Sequence, residues 1–301
     1  MVDLEPLLRW AAAALGPGAS VAVERGLREG SNPWLVAIDD GSERRQAVLK
    51  VGHPHDPEGF RTEVAALTLA GERGVPTPRL LATDLVGTAV GRPVLLQSVV
   101  SGTSKIPVEA STDRLRATGA CIAPLHSITV PASGELLLRT RPISASDFAR
   151  GRRLGEAETT PLLAAADERI QALPLPAGQT VLVHGDLWQG NLLWDDGSVT
   201  GIIDWDMAGV GHPSLDLAAL RLDAVLLHGF GAEEPVLAGW QQATGVPAEA
   251  LPYWDAVAAL NMPGDMAVFA PVIHDQGRTD LSPDTLNERR DAFLRNAMAA
   301  L

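Results

Sequence analysis

The spacing of apolar residues changes along the chain and separates a strand-rich first part from a helical second part. Between residues 4 and 15 apolar side chains recur at helical spacing, which predicts an amphipathic helix ending at a Gly-Pro-Gly turn. Short apolar runs bounded by turn residues then predict strands at 21–24, 34–38, 46–51 and 94–100. Helical spacing returns at Thr112, weakens over 128–180, where one or two helices are predicted, and resumes over 217–301.

The segment 184–206 contains the most specific chemical pattern, HGDLWQGN followed by IIDWD. Asp186 and Asn191 are separated by four residues, which is the spacing H-x-D-x-x-x-x-N of a kinase catalytic loop. In such a loop the Asp accepts the proton of a substrate hydroxyl and the Asn holds Mg²⁺. The pattern therefore indicates phosphoryl transfer, with Asp186 as the base.

Two short apolar runs follow Asn191, and the turn Asp-Asp-Gly at 195–197 separates them. This arrangement predicts a β-hairpin, which brings its two ends close together. Asn191 before the hairpin and Asp204 after it would then share one metal site. Mg²⁺ prefers oxygen ligands and takes one or two protein groups together with phosphate and water, so an amide and a carboxylate suit it.

These motifs, with IIDWDMAGVGHPSLDLA, resemble the aminoglycoside phosphotransferase family of kinase-like small-molecule kinases, which includes relatives of choline, homoserine and fructosamine kinases. The resemblance runs from about Glu24 to about Leu220 and is most specific over 184–216. It implies an α/β (α+β) bilobed protein-kinase-like fold. A small, mainly-β nucleotide-binding lobe is expected over 1–98, and a larger, mainly-α catalytic and substrate-binding lobe over 99–301.

Lys50 ends an apolar strand, where a lysine costs free energy unless it is paired. In the resembling family the equivalent lysine binds the α- and β-phosphates of ATP, and Glu63, on a segment with helical spacing, is its expected partner. Glu58, which we expect in a loop, is the second choice. Without the family pattern, Lys50 also fits an edge strand from which it reaches solvent.

The loop expected at 26–33 contains Gly-Ser-Asn, which resembles the family's nucleotide loop and implies a phosphate contact from Ser31 or its backbone. Taken alone, the same residues fit an ordinary hairpin turn. The strand at 94–100 resembles the hinge between two lobes, where backbone groups from Gln97 to Val100, including Val99, would bind a purine. ATP is expected from the habit of the family, and GTP is the alternative.

Gly185 stands where protein kinases have an Arg that reads a phosphorylated activation loop, and no A-P-E element follows. The acceptor is therefore expected to be a small molecule. His184 is expected to tie the loop to the Asp204 segment, and the resemblance implies that Asp216 braces the loop. His126 is expected to be a hydrogen-bonded packing residue.

Several acidic residues have two open interpretations. Asp206 would either assist the metal or face solvent. Asp265 and Asp275, on the C-terminal helices that wall the acceptor pocket in the family, would either meet an ammonium group or belong to a solvated face. Both interpretations stay open on the sequence alone.

The composition argues against several partners. The chain has 37 acidic and 24 basic residues and a formal net charge of −13, whereas nucleic acids and anionic membranes require a basic face. The acidity is compatible with a cationic acceptor, although solubility is the favoured explanation. Cys121 is the single cysteine, there is no basic signal region, and no window reaches about 18 uncharged apolar residues. A cytoplasmic protein is expected, as a monomer or a homodimer.

Together these features predict an ATP-dependent phosphotransferase that moves the γ-phosphoryl group to a hydroxyl of a small molecule, such as an aminoglycoside-like antibiotic, an amino sugar or an amino alcohol. One alternative is a housekeeping kinase for a sugar, amino sugar or other metabolite without a resistance role. A second alternative is a nucleotide-binding pseudokinase that serves as an interaction module. The presence of Lys50, Asp186, Asn191 and Asp204 argues against the second, because a protein that only binds does not need a base.

Overall fold

The computed structural model describes residues 3–28, 31–53, 58–141 and 147–301, and for Arg28 and Ser31 it describes the backbone alone. The chain divides into two compact units, Met1–Ser101 and Gly102–Leu301. The predicted boundary at 98/99 falls just before this division.

Among the described residues, the N-terminal unit contains a five-stranded antiparallel sheet and two helices. The strand order is β1-β2-β3-β5-β4. The elements are α1 (Leu4–Leu15), β1 (Ser20–Arg28), β2 (Ser31–Asp39), β3 (Arg44–Val51), α2 (Glu58–Glu72), β4 (Leu80–Asp84) and β5 (Val94–Ser98).

Helix α1 forms as its apolar spacing predicts and packs its apolar face into the core of this unit. The Asp3 side chain accepts the amide of Glu5 and caps the helix. Leu7 and Leu49 lie in one buried cluster with other apolar residues of β2, β3 and β5. Fully burying one such leucine contributes about 1.5–3 kcal/mol.

The expected loop at 26–33 is largely strand in the structure. Gly26 pairs with Trp34 and Arg28 with Ser31, whereas residues 29 and 30 lie outside the described residues. Two register shifts in β1 accompany this pairing. Such bulges interrupt the alternation of side chains, so the pattern of this stretch resembles a turn although the backbone is paired.

The C-terminal unit is mainly helical. Its helices are α3 (Thr112–Ala120), α4 (Ala123–His126), α5 (Phe148–Arg153), α6 (Pro161–Ala172), α7 (Ser214–His228), α8 (Glu233–Thr244), α9 (Leu251–Leu260), α10 (Ala270–Asp275) and α11 (Pro283–Ala299). Across the described part of the chain, no helix has both the length and the apolar character needed to cross a membrane.

Helix α7 lies at the centre of this unit. Thirteen of its 15 residues are buried, as expected of a helix surrounded by others. Its Leu222 shares a cluster with Trp254 of α9 and Phe293 of α11. Charged residues in such a helix need partners, and Arg221 pairs with Asp255 of α9 at 3.2 Å.

Short strands lie on both sides of the segment 184–191, which contains the predicted base and contacts α7. Strands β6 (Leu138–Arg139), β10 (Gly209–Gly211) and β7 (Val181–Val183) form one small sheet. The predicted hairpin is present as β8 (Leu192–Asp195) and β9 (Ser198–Ile202). Its two turn residues, Asp196 and Gly197, both have positive φ, as a two-residue type I′ turn requires.

Candidate active site

A loop between β7 and β8, residues 184–191, contains the predicted base and one predicted metal ligand. The amides of His184 and Gly185 donate to the carboxylate of Asp216, at 2.7 and 3.0 Å. Burial acts to raise the pKa of Asp216, but hydrogen bonds from His126 and from the His184 amide outweigh it and hold the pKa below its ordinary value. Asp216 is therefore an anion that braces the start of the loop.

His126 supports Asp216 from the other side. The indole N–H of Trp240 donates to Nδ1 of His126 at 2.9 Å, and Nε2 of His126 lies 3.3 Å from Asp216 Oδ2. Because an indole N–H can only donate, Nδ1 is an acceptor and Nε2 carries the proton. His126 thus donates to Asp216 through Nε2, and its predicted role as a hydrogen-bonded packing residue is confirmed.

His184 connects the loop to the segment that contains Asp204. Its Nε2 donates to the carbonyl of Ile203 at 3.0 Å, and its ring lies 4.9 Å from that of Trp205. The prediction that His184 ties these two segments together is confirmed.

Both the side chain and the backbone of Asn191 are held by hydrogen bonds. Its Nδ2 donates to the backbone carbonyl of Asp186 at 2.8 Å, and its own carbonyl accepts the amide of Ile203 at 3.0 Å. The hairpin therefore brings Asn191 next to the residue that precedes Asp204. The half-buried Asp186 lies at the other end of the same short loop.

The donor atoms at this place fit Mg²⁺. Because the side-chain N–H of Asn191 is used within the loop, its Oδ1 is the atom to offer a metal. Asp204 supplies a carboxylate, and its φ of +70° is a left-handed conformation that is uncommon for a residue with a side chain. An amide oxygen and a carboxylate are hard ligands of the kind that Mg²⁺ prefers.

The tryptophan of the loop packs onto a glycine. A Cβ at Gly190 would lie 2.2 Å from the ring of Trp188, so only glycine leaves room for the indole here. The remaining surface of Trp188 packs against the main apolar cluster of the unit. The loop is therefore shaped by side-chain packing as well as by hydrogen bonds.

In the N-terminal unit, Lys50 and Glu63 form the expected ion pair. The Lys50 ammonium lies 2.8 Å from both carboxylate oxygens, and the Glu63 side chain is only 1% exposed. Gln97 also donates to Glu63, at 2.8 Å, so its side chain supports the pair. Glu58, in contrast, is exposed and begins α2, and the expectation of a loop there was wrong.

The start of β2 is anchored beside Lys50. The Asn32 side chain exchanges two hydrogen bonds of 2.9 Å with the backbone of Val51, the residue after Lys50. The side chain of Ser31, the predicted phosphate contact, lies outside the described residues. The sequence did not indicate that Asn32 anchors this stretch.

The hinge residues differ in their backbone environment. Gln97 lies in β5 and pairs with Val48 on one side and Leu80 on the other. Val99 lies beyond the end of the strand and is exposed. A backbone contact to a purine therefore suits Val99, whereas the described contribution of Gln97 is its side-chain bond to Glu63.

Two of the acidic candidates, Asp265 and Asp206, interact with neighbouring protein groups. Asp265 caps a 3₁₀ turn by accepting the amide of Ala267, and it also accepts a hydrogen bond from Asn287. Asp206 lies near Arg139, and its negative charge partly offsets the effect of burial, which lowers the pKa of Arg139. Asp275 ends α10 and is exposed.

Sequence reasoning missed one buried carboxyl that contacts the loop. Asp223 of α7 accepts the backbone amide of Gln189 at 2.9 Å. The available signal was its position seven residues after Asp216, which places both on one face of the helix. Contact with the loop, however, depends on how α7 packs, which the sequence pattern does not specify.

A β-rich unit with a Lys–Glu pair, followed by a helical unit with this loop and hairpin, defines a kinase-like phosphotransferase fold. The chain belongs to the phosphotransferase enzyme family, whose model matches residues 25–260.

Known proteins similar to this chain agree with that membership. A 60-residue stretch, 18% of this chain, is 43% identical to viomycin phosphotransferase of Streptomyces vinaceus and covers 21% of it. A longer match, 26% identical over 176 residues and 57% of this chain, covers 54% of homoserine kinase of Methylobacillus glycogenes. The matches thus span about a fifth and about half of these relatives.

Among solved structures, the chain is similar to a thermostable mutant of aminoglycoside phosphotransferase APH(4)-Ia in ternary complex with AMP-PNP and hygromycin B. The TM-score is 0.65 at 17% identity, and the match covers 98% of this chain and 99% of that one. The predicted α/β kinase-like fold is therefore confirmed.

Proposed function

We propose that this protein transfers the γ-phosphoryl group of ATP to a hydroxyl group of a small molecule, and that it acts in the cytoplasm, where ATP is available. The observation that carries the proposal is the construction of the loop. Asn191 bonds to the backbone of Asp186 and to the residue before Asp204, so one short segment holds the base and orients a metal ligand. Positioning of this kind supplies most of the rate in phosphoryl transfer.

In the proposed reaction, the acceptor hydroxyl attacks the γ-phosphorus and its proton passes to the Asp186 carboxylate. The bond between the γ-phosphorus and the bridging oxygen breaks, and ADP leaves. Asn191 Oδ1 and Asp204 would hold Mg²⁺, which when bound neutralises charge on the phosphate oxygens. Lys50, oriented by Glu63 and Gln97, would bind the phosphates of the nucleotide, Ser31 or its backbone would contact them, and Val99 would contact the purine through its backbone.

The acceptor class rests on the family and on charge. Family membership and the absence of an A-P-E element in the sequence support a small molecule. The similarity to viomycin phosphotransferase supports an antibiotic, and a net charge of −13 favours a cationic one, because an acidic surface concentrates cations. The similarity to homoserine kinase supports the alternative, a metabolic amino alcohol.

The test is ADP release from Mg-ATP, and in parallel from Mg-GTP, over aminoglycosides, viomycin, macrolides, amino sugars, choline and homoserine, with mass spectrometry of each product. We expect one acceptor class to gain a phosphoryl group. Expression in a sensitive bacterium, followed by susceptibility testing, then distinguishes a resistance enzyme from a metabolic kinase. Nucleotide binding without a phosphorylated product from any class would contradict the proposal and favour the interaction module.

A further inference from the structure

Helix α7 directs two buried carboxyl groups at the catalytic loop. Asp216 and Asp223 are seven residues apart, which is about two helical turns, so both lie on the same face. Asp216 is 0% exposed and Asp223 is 8% exposed. The rest of this helix face is apolar, so two acids here require a specific reason.

The two carboxyl groups hold different parts of the loop. Asp216 accepts the amides of His184 and Gly185, immediately before Asp186. Asp223 accepts the amide of Gln189, the first residue of the 3₁₀ turn that ends at Asn191. One helix therefore anchors the loop at the base and, independently, at the predicted metal ligand.

The Asp223 carboxyl is costly to bury. Burial raises its pKa to about 7, although the Gln189 amide and the charge of Arg278 act in the opposite direction. A leucine, which has the same number and branching of side-chain heavy atoms, would avoid the cost of burying a carboxyl group in this helix. What a leucine lacks is an acceptor for the Gln189 amide, which would otherwise be a buried donor without a partner.

We propose that Asp223 is a positioning residue for phosphoryl transfer, which fixes the 3₁₀ turn of residues 189–191 and thereby the direction of Asn191 Oδ1. The inference rests on the proposed function for its catalytic consequence. The role needs an acceptor atom and does not need a charge. This requirement distinguishes Asp223 from Asp216, because Asp216 holds the other end of the loop as an anion.

Two substitutions separate this role from a general effect on stability. Asp223→Asn keeps an acceptor oxygen, so the Gln189 amide stays bonded. Asp223→Leu keeps the number and branching of the side-chain heavy atoms, at a somewhat larger volume, and removes the acceptor. Asp255→Asn is the matched control, because Asp255 is also a buried carboxyl with a raised pKa, about 6, but it pairs with Arg221 away from the loop.

The first readout does not require an acceptor substrate. In ¹⁵N NMR, the Gln189 amide is expected to be protected from hydrogen exchange in the wild type and in Asp223→Asn, and to exchange at least about tenfold faster in Asp223→Leu. The Mg²⁺ concentration that half-saturates nucleotide binding is expected to rise about three- to tenfold in Asp223→Leu only. Asp255→Asn is expected to lower the melting temperature without moving either value.

With a phosphorylated acceptor in hand, kcat of Asp223→Leu is expected to fall about 10- to 100-fold, with the KM of the acceptor within about twofold. A Mg²⁺ requirement and a Gln189 exchange rate in Asp223→Leu that equal those of the wild type would overturn the inference, whatever the melting temperature. Equal losses in Asp223→Asn and Asp223→Leu would overturn it too, because an acceptor alone would then be insufficient. Failure of the proposed function would appear separately, as a wild type that binds Mg-nucleotide but phosphorylates nothing.

Discussion

Glu63 orients the one lysine expected to bind nucleotide phosphates. Its buried carboxylate contacts Lys50 and Gln97, each at 2.8 Å. Glu63→Gln removes the charge that holds the ammonium, so we expect the KM for ATP to rise about tenfold with an acceptor KM within about twofold. Steady-state kinetics with each substrate varied in turn measures both values.

The matched control is Glu72→Gln, at the exposed end of the same helix α2. It is expected to behave as the wild type. If Glu63→Gln has the same KM for ATP as the wild type, the assignment of Lys50 to the nucleotide site is wrong.

His228, the last residue of α7, links stability to pH. Burial, and then the charge of Arg278, lower its pKa from 6.5 to about 4. Between about pH 6.5 and about pH 4 the unfolded chain therefore binds more protons at this residue than the folded one, and stability falls as pH falls. For this partly exposed group we expect a loss of about 1–2 kcal/mol across the window, after allowance for solvent screening.

Urea denaturation of His228→Asn and of the wild type at several pH values tests this effect. Below about pH 6.5 the wild type is expected to lose unfolding free energy relative to His228→Asn as pH falls. Above about pH 7 the difference between the two proteins is expected to be constant. Asp223 has the opposite dependence, but it is present in both proteins and its contribution cancels. A difference that is independent of pH would show that His228 is not buried as described.

At the scale of elements, helices α3 and α8 approach each other through glycines. A Cβ at Gly119 would lie 1.8 Å from the carbonyl oxygen of Val236, and one at Gly239 would lie 2.0 Å from that of Arg116. This contact brings Trp240 to His126, and through His126 it reaches Asp216.

Gly119→Ala should therefore separate the two helices and destabilise the protein by about 3 kcal/mol. Gly71→Ala in α2 is the control, because the nearest atom to its added Cβ is 3.9 Å away. In that helix the alanine is expected to stabilise by about 0.5–1 kcal/mol. Thermal denaturation compares the two, and equal effects would contradict the close approach of α3 and α8.

Elements with a regular pattern were predictable, and those shaped by packing were not. The apolar spacing of 4–15 and the Asp-Asp-Gly turn at 195–197 specify α1 and the β8–β9 hairpin without help from the rest of the chain. The loop spacing likewise indicated Asp186 and Asn191. The bulged strand around Gly26 was read as a loop because bulges interrupt alternation.

The bonds of Gln97 to Glu63 and of Asp223 to Gln189 connect residues 34 apart in the sequence. They depend on tertiary packing, so no local pattern indicates them. They also involve side chains, glutamine and aspartate, that are common at exposed positions, where they need no such partner.

At the scale of the whole molecule, the net charge of −13 leads to a prediction about the acceptor. If the acceptor is cationic, its KM should rise about two- to fivefold when salt is raised from about 20 to about 200 mM, because screening weakens the attraction. A neutral acceptor tested alongside serves as the control. A cationic acceptor whose KM does not respond to salt would show that the acidic surface serves solubility alone.

The most direct test of the central claim is transfer of radiolabelled γ-phosphate from ATP to the acceptor by the wild type, Asp186→Asn and Asp196→Asn, with nucleotide binding measured by calorimetry. Asp196→Asn makes the same chemical change at an exposed turn residue ten positions further on, where positive φ suits asparagine. We expect Asp186→Asn to bind nucleotide normally and to transfer phosphate about 10²–10⁴-fold more slowly than the wild type. Asp196→Asn is expected to transfer phosphate at the wild-type rate. Transfer by Asp186→Asn at the wild-type rate would contradict the assignment of Asp186 as the base.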